Sequence, residues 1–230
     1  TGGQNVLVSD SSALPEQVVA DVLSSAFDSA GQRCSALRIL LLQEDVADHY
    51  YKMITEAINE FSLGDPRLLS TDIGPVIDQE AKQNLENHKA NMRKVARAYV
   101  ELEAPTNGHF VAPAVYLLDN LNQLQREVFG PILHIVRYKK ENLVNVLNEV
   151  NAKGYALTGG CHSRIRKQMD LVEKHLHCGN FYINRNIVGA VVGVQPFGGH
   201  GLSGTGPKAG GEFYLQRLTK TDRYYSQFGD

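Results

Sequence analysis

Short apolar runs separated by amphipathic stretches constrain this chain more than any other feature. Residues 6–8 (Val-Leu-Val) read as a buried strand. Pro15 to Phe27 reads as a helix, with Val18/Val19, Val22/Leu23 and Ala26/Phe27 on one face. Pro15 suits the first turn, where a missing N–H costs nothing. Residues 37–42 read as a strand covered on both faces. Residues 45–61 read as a helix with Val46, Tyr50, Ile54, Ile58 and Phe61 in register. The alternation continues with a polar helix over 78–96 and helices over 141–150 and 165–175. Strands are predicted at 99–102, 115–118, 132–136, 156–161 and 181–183. This order predicts an α/β domain with a mostly parallel sheet flanked by helices. Residues 185–211 are rich in glycine, carry no helical period, and read as a long loop of the kind that holds function.

The 230 residues suffice for one sizeable core or two small ones. A formal net charge of −2, with no basic block, predicts no nucleic-acid surface. No apolar run approaches the ~20 residues of a membrane helix, and the opening Thr-Gly-Gly-Gln-Asn does not resemble a signal peptide. The three cysteines, Cys34, Cys161 and Cys178, have no CxxC spacing, which points to a reducing compartment rather than a disulfide framework.

Cys34 follows a glycine break between a helix and a strand, so its thiol sits on a turn where it can face a cleft. A thiolate is a strong nucleophile near neutral pH, and Arg33 beside it would favour the charged form. The bland alternative is a buried structural thiol, but Gly31, Gln32, Arg33 and Ser35 are too polar for a core strand. The segment Glu127-Val128-Phe129-Gly130-Pro131 has its own bland reading, a helix end stopped by Gly-Pro. The segment 186–199, ending in Pro196-Phe197-Gly198-Gly199, reads blandly as an edge hairpin with glycine turns. Residues 199–204 match G-x-G-x-x-G, but no βαβ unit surrounds them, and 201–208 fall out of Walker A register, so both nucleotide-loop readings are rejected. His175, His177 and Cys178 lack a second ligand cluster; a helix C-terminus explains the histidines better than a metal.

The run 27–38 around Cys34, the E-x-F-G-P segment and the P-F-G-G loop together resemble the aldehyde dehydrogenase family. Within it, they look like the glutamate semialdehyde (1-pyrroline-5-carboxylate) dehydrogenases of the bifunctional, PutA-like proline-utilisation branch, which also resembles this chain in G-L-S-G-T-G-P-K-A-G-G at 201–211. The resemblance implies Cys34 as catalytic nucleophile. It implies Glu127 and Phe129 as cofactor contacts, with the glutamate holding the nicotinamide ribose. Ser35, Gly189 and Ala190 would hold the substrate carboxylate and Phe197 would line the aldehyde tunnel. Backbone amides approaching an anion suit the glycine there. The implied cofactor is NAD, with FAD only where a proline dehydrogenase domain lies upstream. The implied partners are a small aldehyde, the rest of the same polypeptide and further copies of it, with no nucleic acid or metal. A cytoplasmic location is implied, with peripheral contact with the inner membrane an option in a bifunctional parent.

The resemblance covers 1–218 as a catalytic domain, with 219–230 a truncated C-terminal extension. In the family a glutamate that activates the hydrolytic water would stand one position before Thr1, and a Rossmann half precedes it with the asparagine of the oxyanion hole. The chain is therefore expected to be the catalytic part of a larger enzyme and, alone, to be inactive.

Overall fold

The computed structural model describes residues 2–219. Among these residues, nine strands and six α-helices follow in order: β1 Asn5–Ser9, α1 Pro15–Phe27, β2 Leu37–Gln43, α2 Glu44–Ile58, α3 Gln79–Val95, β3 Ala98–Glu101, β4 Ala114–Leu118, β5 Ile132–Tyr138, α4 Leu143–Ala152, β6 Tyr155–Ala156, β7 Thr158–His162, α5 Arg166–His175, β8 Asn180–Ile183, β9 His200–Gly201 and α6 Tyr214–Leu218. Seven strands form one sheet, ordered β3-β4-β5-β2-β1-β7-β8. Every pairing is parallel except β3 with β4, which closes one edge antiparallel.

Every residue of β1, β2 and β4 is buried. Alternate side chains of a strand face opposite sides, so both faces of the central sheet are covered. Val18, Val22 and Ala26 of α1 and Ala47, Tyr50, Ile54 and Ile58 of α2 supply buried stripes at helical spacing. Phe27 and Phe61 meet edge to face, with centroids 5.6 Å apart. Among the described residues no helix is long and apolar enough to cross a membrane.

Two expectations are corrected. The single strand over 156–161 is two. Tyr155 and Ala156 pair antiparallel with Gly201 and His200 in a separate ribbon, while Thr158–His162 joins the main sheet beside β1. The break falls where the Gly179 N–H bonds the carbonyls of Ala156 and Leu157 (3.1 and 2.9 Å) and Ser203 Oγ accepts from the Ala156 N–H. The loop over 185–211 thus carries a strand, β9. The bland reading of the Glu127 segment as a helix end does not hold: a single tight turn over Leu121–Gln123 precedes it, and 125–129 are non-helical.

One residue in the apolar stretch of β2 is charged and wholly buried: Arg38. Its carbonyl oxygen lies 3.0 Å from His134 Nδ1 on β5, and His134 Nε2 lies 2.9 Å from His88 Nε2 on α3. A carbonyl only accepts, so His134 carries its proton on Nδ1 and accepts from His88 at Nε2. Burial pushes His134 down to about 3, reinforced by His88; burial pushes His88 down to about 4, reinforced by Arg126. Both rings bind protons less readily folded than unfolded. Their contribution to stability is therefore complete above pH ~6.5 and is lost as the pH falls from there through about 4 for His88 and about 3 for His134. Melting temperature should drop over that window, and NMR should show both imidazoles neutral down to pH ~4.5. A ring titrating near its ordinary value would contradict the pairing.

Candidate active site

The chain leaves α1 through a tight turn, Asp28–Gly31, in which Ser29 (φ 58°), Ala30 (φ 54°) and Gly31 (φ 64°) are all left-handed. For Ser29 and Ala30 this costs about 1–2 kcal/mol each, so the surroundings must hold it. Arg33 Nε donates to Ser29 Oγ at 3.1 Å, and the Gln32 N–H donates to the Ser29 carbonyl at 3.0 Å. Gly31 packs flush against the main chain of another segment: a Cβ there would lie 2.2 Å from the Gly130 carbonyl oxygen.

Beyond the turn, the carbonyls of residues 34–36 are each tied down. Asn5 Nδ2 donates to the carbonyls of Cys34 and Ala36, both at 2.8 Å, and Thr158 Oγ1 donates to that of Ser35 at 3.1 Å. Asn5 Oδ1 accepts from the Thr158 N–H at 3.0 Å. Two neighbouring strands thus set where Cys34 stands. The Cys34 N–H has no backbone acceptor among the described residues. Asn5→Leu would strand three backbone groups and should cost at least about 3 kcal/mol, read by urea unfolding; a loss below about 1 kcal/mol would show the amide to be dispensable.

Cys34 is half-buried and opens into a cavity of about 710 Å³. Gln32, Arg33 and Ser35 stand with it. Gly189, Ala190, Gln195 and Phe197 line the same space. Phe197 is fixed by paired backbone bonds to Ala209 (3.0 and 2.9 Å), and Asn180 of β8 clasps its neighbours, donating to the Pro196 carbonyl and accepting from the Gly198 N–H. Val191 and Gln195 close a turn on themselves, whereas the N–H groups of Gly189 and Ala190 have no backbone acceptor among the described residues. Arg33 is the only charged residue lining the cavity, and no carboxylate or imidazole lines it among the described residues.

Glu127 and Phe129 lie elsewhere. They line a separate cavity of about 350 Å³ with Asp78, Asn84, His88 and Arg126. Gly3 stands between the two cavities. Its N–H donates to Glu127 Oε1 at 3.0 Å, and a Cβ on it would lie 2.8 Å from the Cys34 carbonyl oxygen and closer still to the Asn5 amide. Five of the seven sequence-predicted site residues therefore share one space. The other two face an adjoining one, with Gly3 between. Asn5, Thr158, Gln195 and Arg38 were not legible as part of the site. A lone polar residue at the head of an apolar run was the available signal for Asn5. The G-x-G-x-x-G at 199–204 runs through β9 into a turn, and no helix opens at Gly204.

A family model described as "Aldehyde dehydrogenase family" matches residues 1–223. The chain belongs to the aldehyde dehydrogenase family. Within that family it is 55% identical over 226 residues to the bifunctional protein PutA of Escherichia coli (strain K12), covering 95% of this chain and 17% of that protein. It is 36% identical over 217 residues to the 1-pyrroline-5-carboxylate dehydrogenase of Geobacillus sp. (strain WCH70), covering 93% of this chain and 42% of the relative. A crystal structure of a Bradyrhizobium japonicum proline utilization A mutant superposes with a TM-score of 0.92 at 56% identity, over 95% of this chain and 22% of that one. The chain spans less than half the length of each of these relatives. The family match takes in both cavities and the mostly parallel sheet that positions them.

Proposed function

We infer that this chain forms the catalytic part of a longer polypeptide that oxidises L-glutamate γ-semialdehyde to L-glutamate with NAD, in proline catabolism. The observation that carries this reading is Cys34 facing a cavity whose only charged lining residue, among the described residues, is a cation, in a chain 55% identical to PutA. Cys34 attacks the aldehyde carbon, forming a C–S bond, and the carbonyl oxygen takes up the negative charge. The Cys34 N–H, without a backbone acceptor among the described residues, would donate to that oxygen. Loss of hydride from carbon leaves a thioester, and water breaks the C–S bond to release the carboxylic acid and the thiol. Ser35, the free N–H groups of Gly189 and Ala190, and Arg33 suit an α-carboxylate at the far end of the substrate, and Phe197 its methylene chain.

NAD supplies the hydride acceptor when bound. Phe129, 45% exposed, and the Glu127 carboxylate oxygen that Gly3 leaves unused fit one edge of a nicotinamide riboside: an aromatic face and an acceptor for a hydroxyl. They make an edge of a dinucleotide site, not a whole one. With no carboxylate or imidazole among the described residues that line the Cys34 cavity, the base for thioester hydrolysis comes from outside these lining residues. Because its described residues hold only that edge of a dinucleotide site, the 230-residue chain alone should form no NADH. The same absence disfavours a cysteine hydrolase, which needs a histidine against the thiol.

The test compares L-glutamate γ-semialdehyde with butanal in the longer polypeptide. The semialdehyde should be preferred in kcat/KM by at least about tenfold, and Arg33→Gln should erase most of that preference. Equal turnover of the neutral aldehyde would refute the substrate assignment.

A further inference from the structure

Arg38 has no place in the chemistry above, yet it touches both halves of the site. It is the extra residue of a β-bulge: Asn5 of β1 pairs with Leu37 and Val6 with Ile39, which leaves Arg38 opposite nothing. A bulge re-aims the side chain it carries. Here the guanidinium runs beneath the turn that precedes Cys34. It donates to the carbonyl of Gly31 at 2.7 Å, to that of Arg33 at 3.2 Å, and to that of Gly130 at 3.0 Å. Its central carbon lies 5.3 Å from the centroid of the Phe129 ring, within cation–π reach. The carbonyl of Arg38 itself is held by His134, so the bulge is pinned from behind.

We propose that Arg38 is a positioning residue that clamps the Cys34 turn to the Glu127–Pro131 segment, so that the nucleophile and the cofactor-facing edge are held as one unit. This rests on the reading of Cys34 as nucleophile. A packing role alone does not require these partners. A wholly buried arginine is expensive, and its hydrogen bonds go to main-chain carbonyls of two segments about a hundred residues apart, on either side of the Gly31–Gly130 contact. The turn it holds is the strained one, with three left-handed residues in succession. The planar fork matches three diverging acceptors, which a lysine ammonium does not. Burial lowers its pKa to about 10, opposed by the charges of Glu127 and then Cys34, so it stays cationic at neutral pH.

The test is steady-state kinetics of Arg38→Met and Arg38→Lys in the longer polypeptide, with Cys34→Ala alongside. Arg38→Met should lower kcat about a hundredfold, raise KM for NAD, and leave KM for the aldehyde within about twofold. Arg38→Lys keeps the charge but not the fork, and should sit between, with kcat down about tenfold. Should the methionine variant fail to fold, the lysine variant decides alone. A folded Arg38→Lys or Arg38→Met with kcat within about threefold of the parent, or a parallel loss of affinity for the aldehyde, overturns the clamp. Activity retained in Cys34→Ala would sink the nucleophile reading instead; activity lost there but kept in the Arg38 variants sinks only the clamp.

Discussion

Cys34→Ala should reduce aldehyde oxidation by the longer polypeptide by on the order of 10⁴-fold or more, while the protein folds as before. The covalent step has no substitute. Cys34 is the only thiol lining the larger cavity, and no other nucleophile of comparable strength faces that space among the described residues. Cys161 is buried in β7 and held up at about 12 by burial and then Asp10; Cys178 is likewise raised to about 12, by burial. Neither is thiolate at neutral pH. Stability should barely move, because Cys34 is half-buried and its loop is held through backbone carbonyls that alanine retains. A variant keeping more than about one per cent of parental kcat would place the chemistry elsewhere.

Gly31→Ala carries the second large effect, and it acts through the backbone. Gly31 has a φ of 64°, which an alanine adopts only under strain, and its added Cβ would sit 2.2 Å from the oxygen and 2.5 Å from the carbon of the Gly130 carbonyl. Those atoms are main chain, and the same carbonyl is bonded to Arg38, so it cannot turn aside without losing that contact. Overpacking against fixed backbone plus left-handed strain predicts a loss of about 3–5 kcal/mol by urea unfolding. What survives folded should also have lower kcat, because separating residues 31 and 130 moves the thiol away from the cofactor-facing segment. Gly189→Ala is the matched control: its φ is 78° but nothing lies within 4 Å, so the strain is present without the collision. Equal losses of stability in the two variants would contradict the packing argument.

The parts of this fold that were legible in the sequence are those with one answer. The central strands are covered on both faces, so their apolar runs are unambiguous, and α1 spans Pro15–Phe27 as its periodicity predicts. The Cys34 loop was legible because its polarity contradicts a core strand. The division of the site was not. Glu127 is tied toward the Cys34 loop by the N–H of a glycine 124 residues away, and a backbone donor leaves no trace in residue type. Arg38 was hidden for a related reason. One arginine in a six-residue apolar stretch still reads as strand, and its hydrogen-bond partners are carbonyls, which every residue has. The site also lies at the amino ends of β1, β2 and β5, where Gly3, Cys34 and Gly130 enter the sheet. Open parallel sheets more often bind ligands beyond the carboxyl ends of their strands, so topology alone would have pointed to the opposite edge.

The most direct test is to map iodoacetamide labelling of the three cysteines in the folded longer polypeptide, with and without L-glutamate. Cys34 should label first, by at least about tenfold over Cys161 and Cys178, and glutamate should slow its labelling alone. Equal labelling of all three, or a Cys34 indifferent to glutamate while the enzyme turns over its aldehyde, would contradict a nucleophile facing an anion-binding cleft.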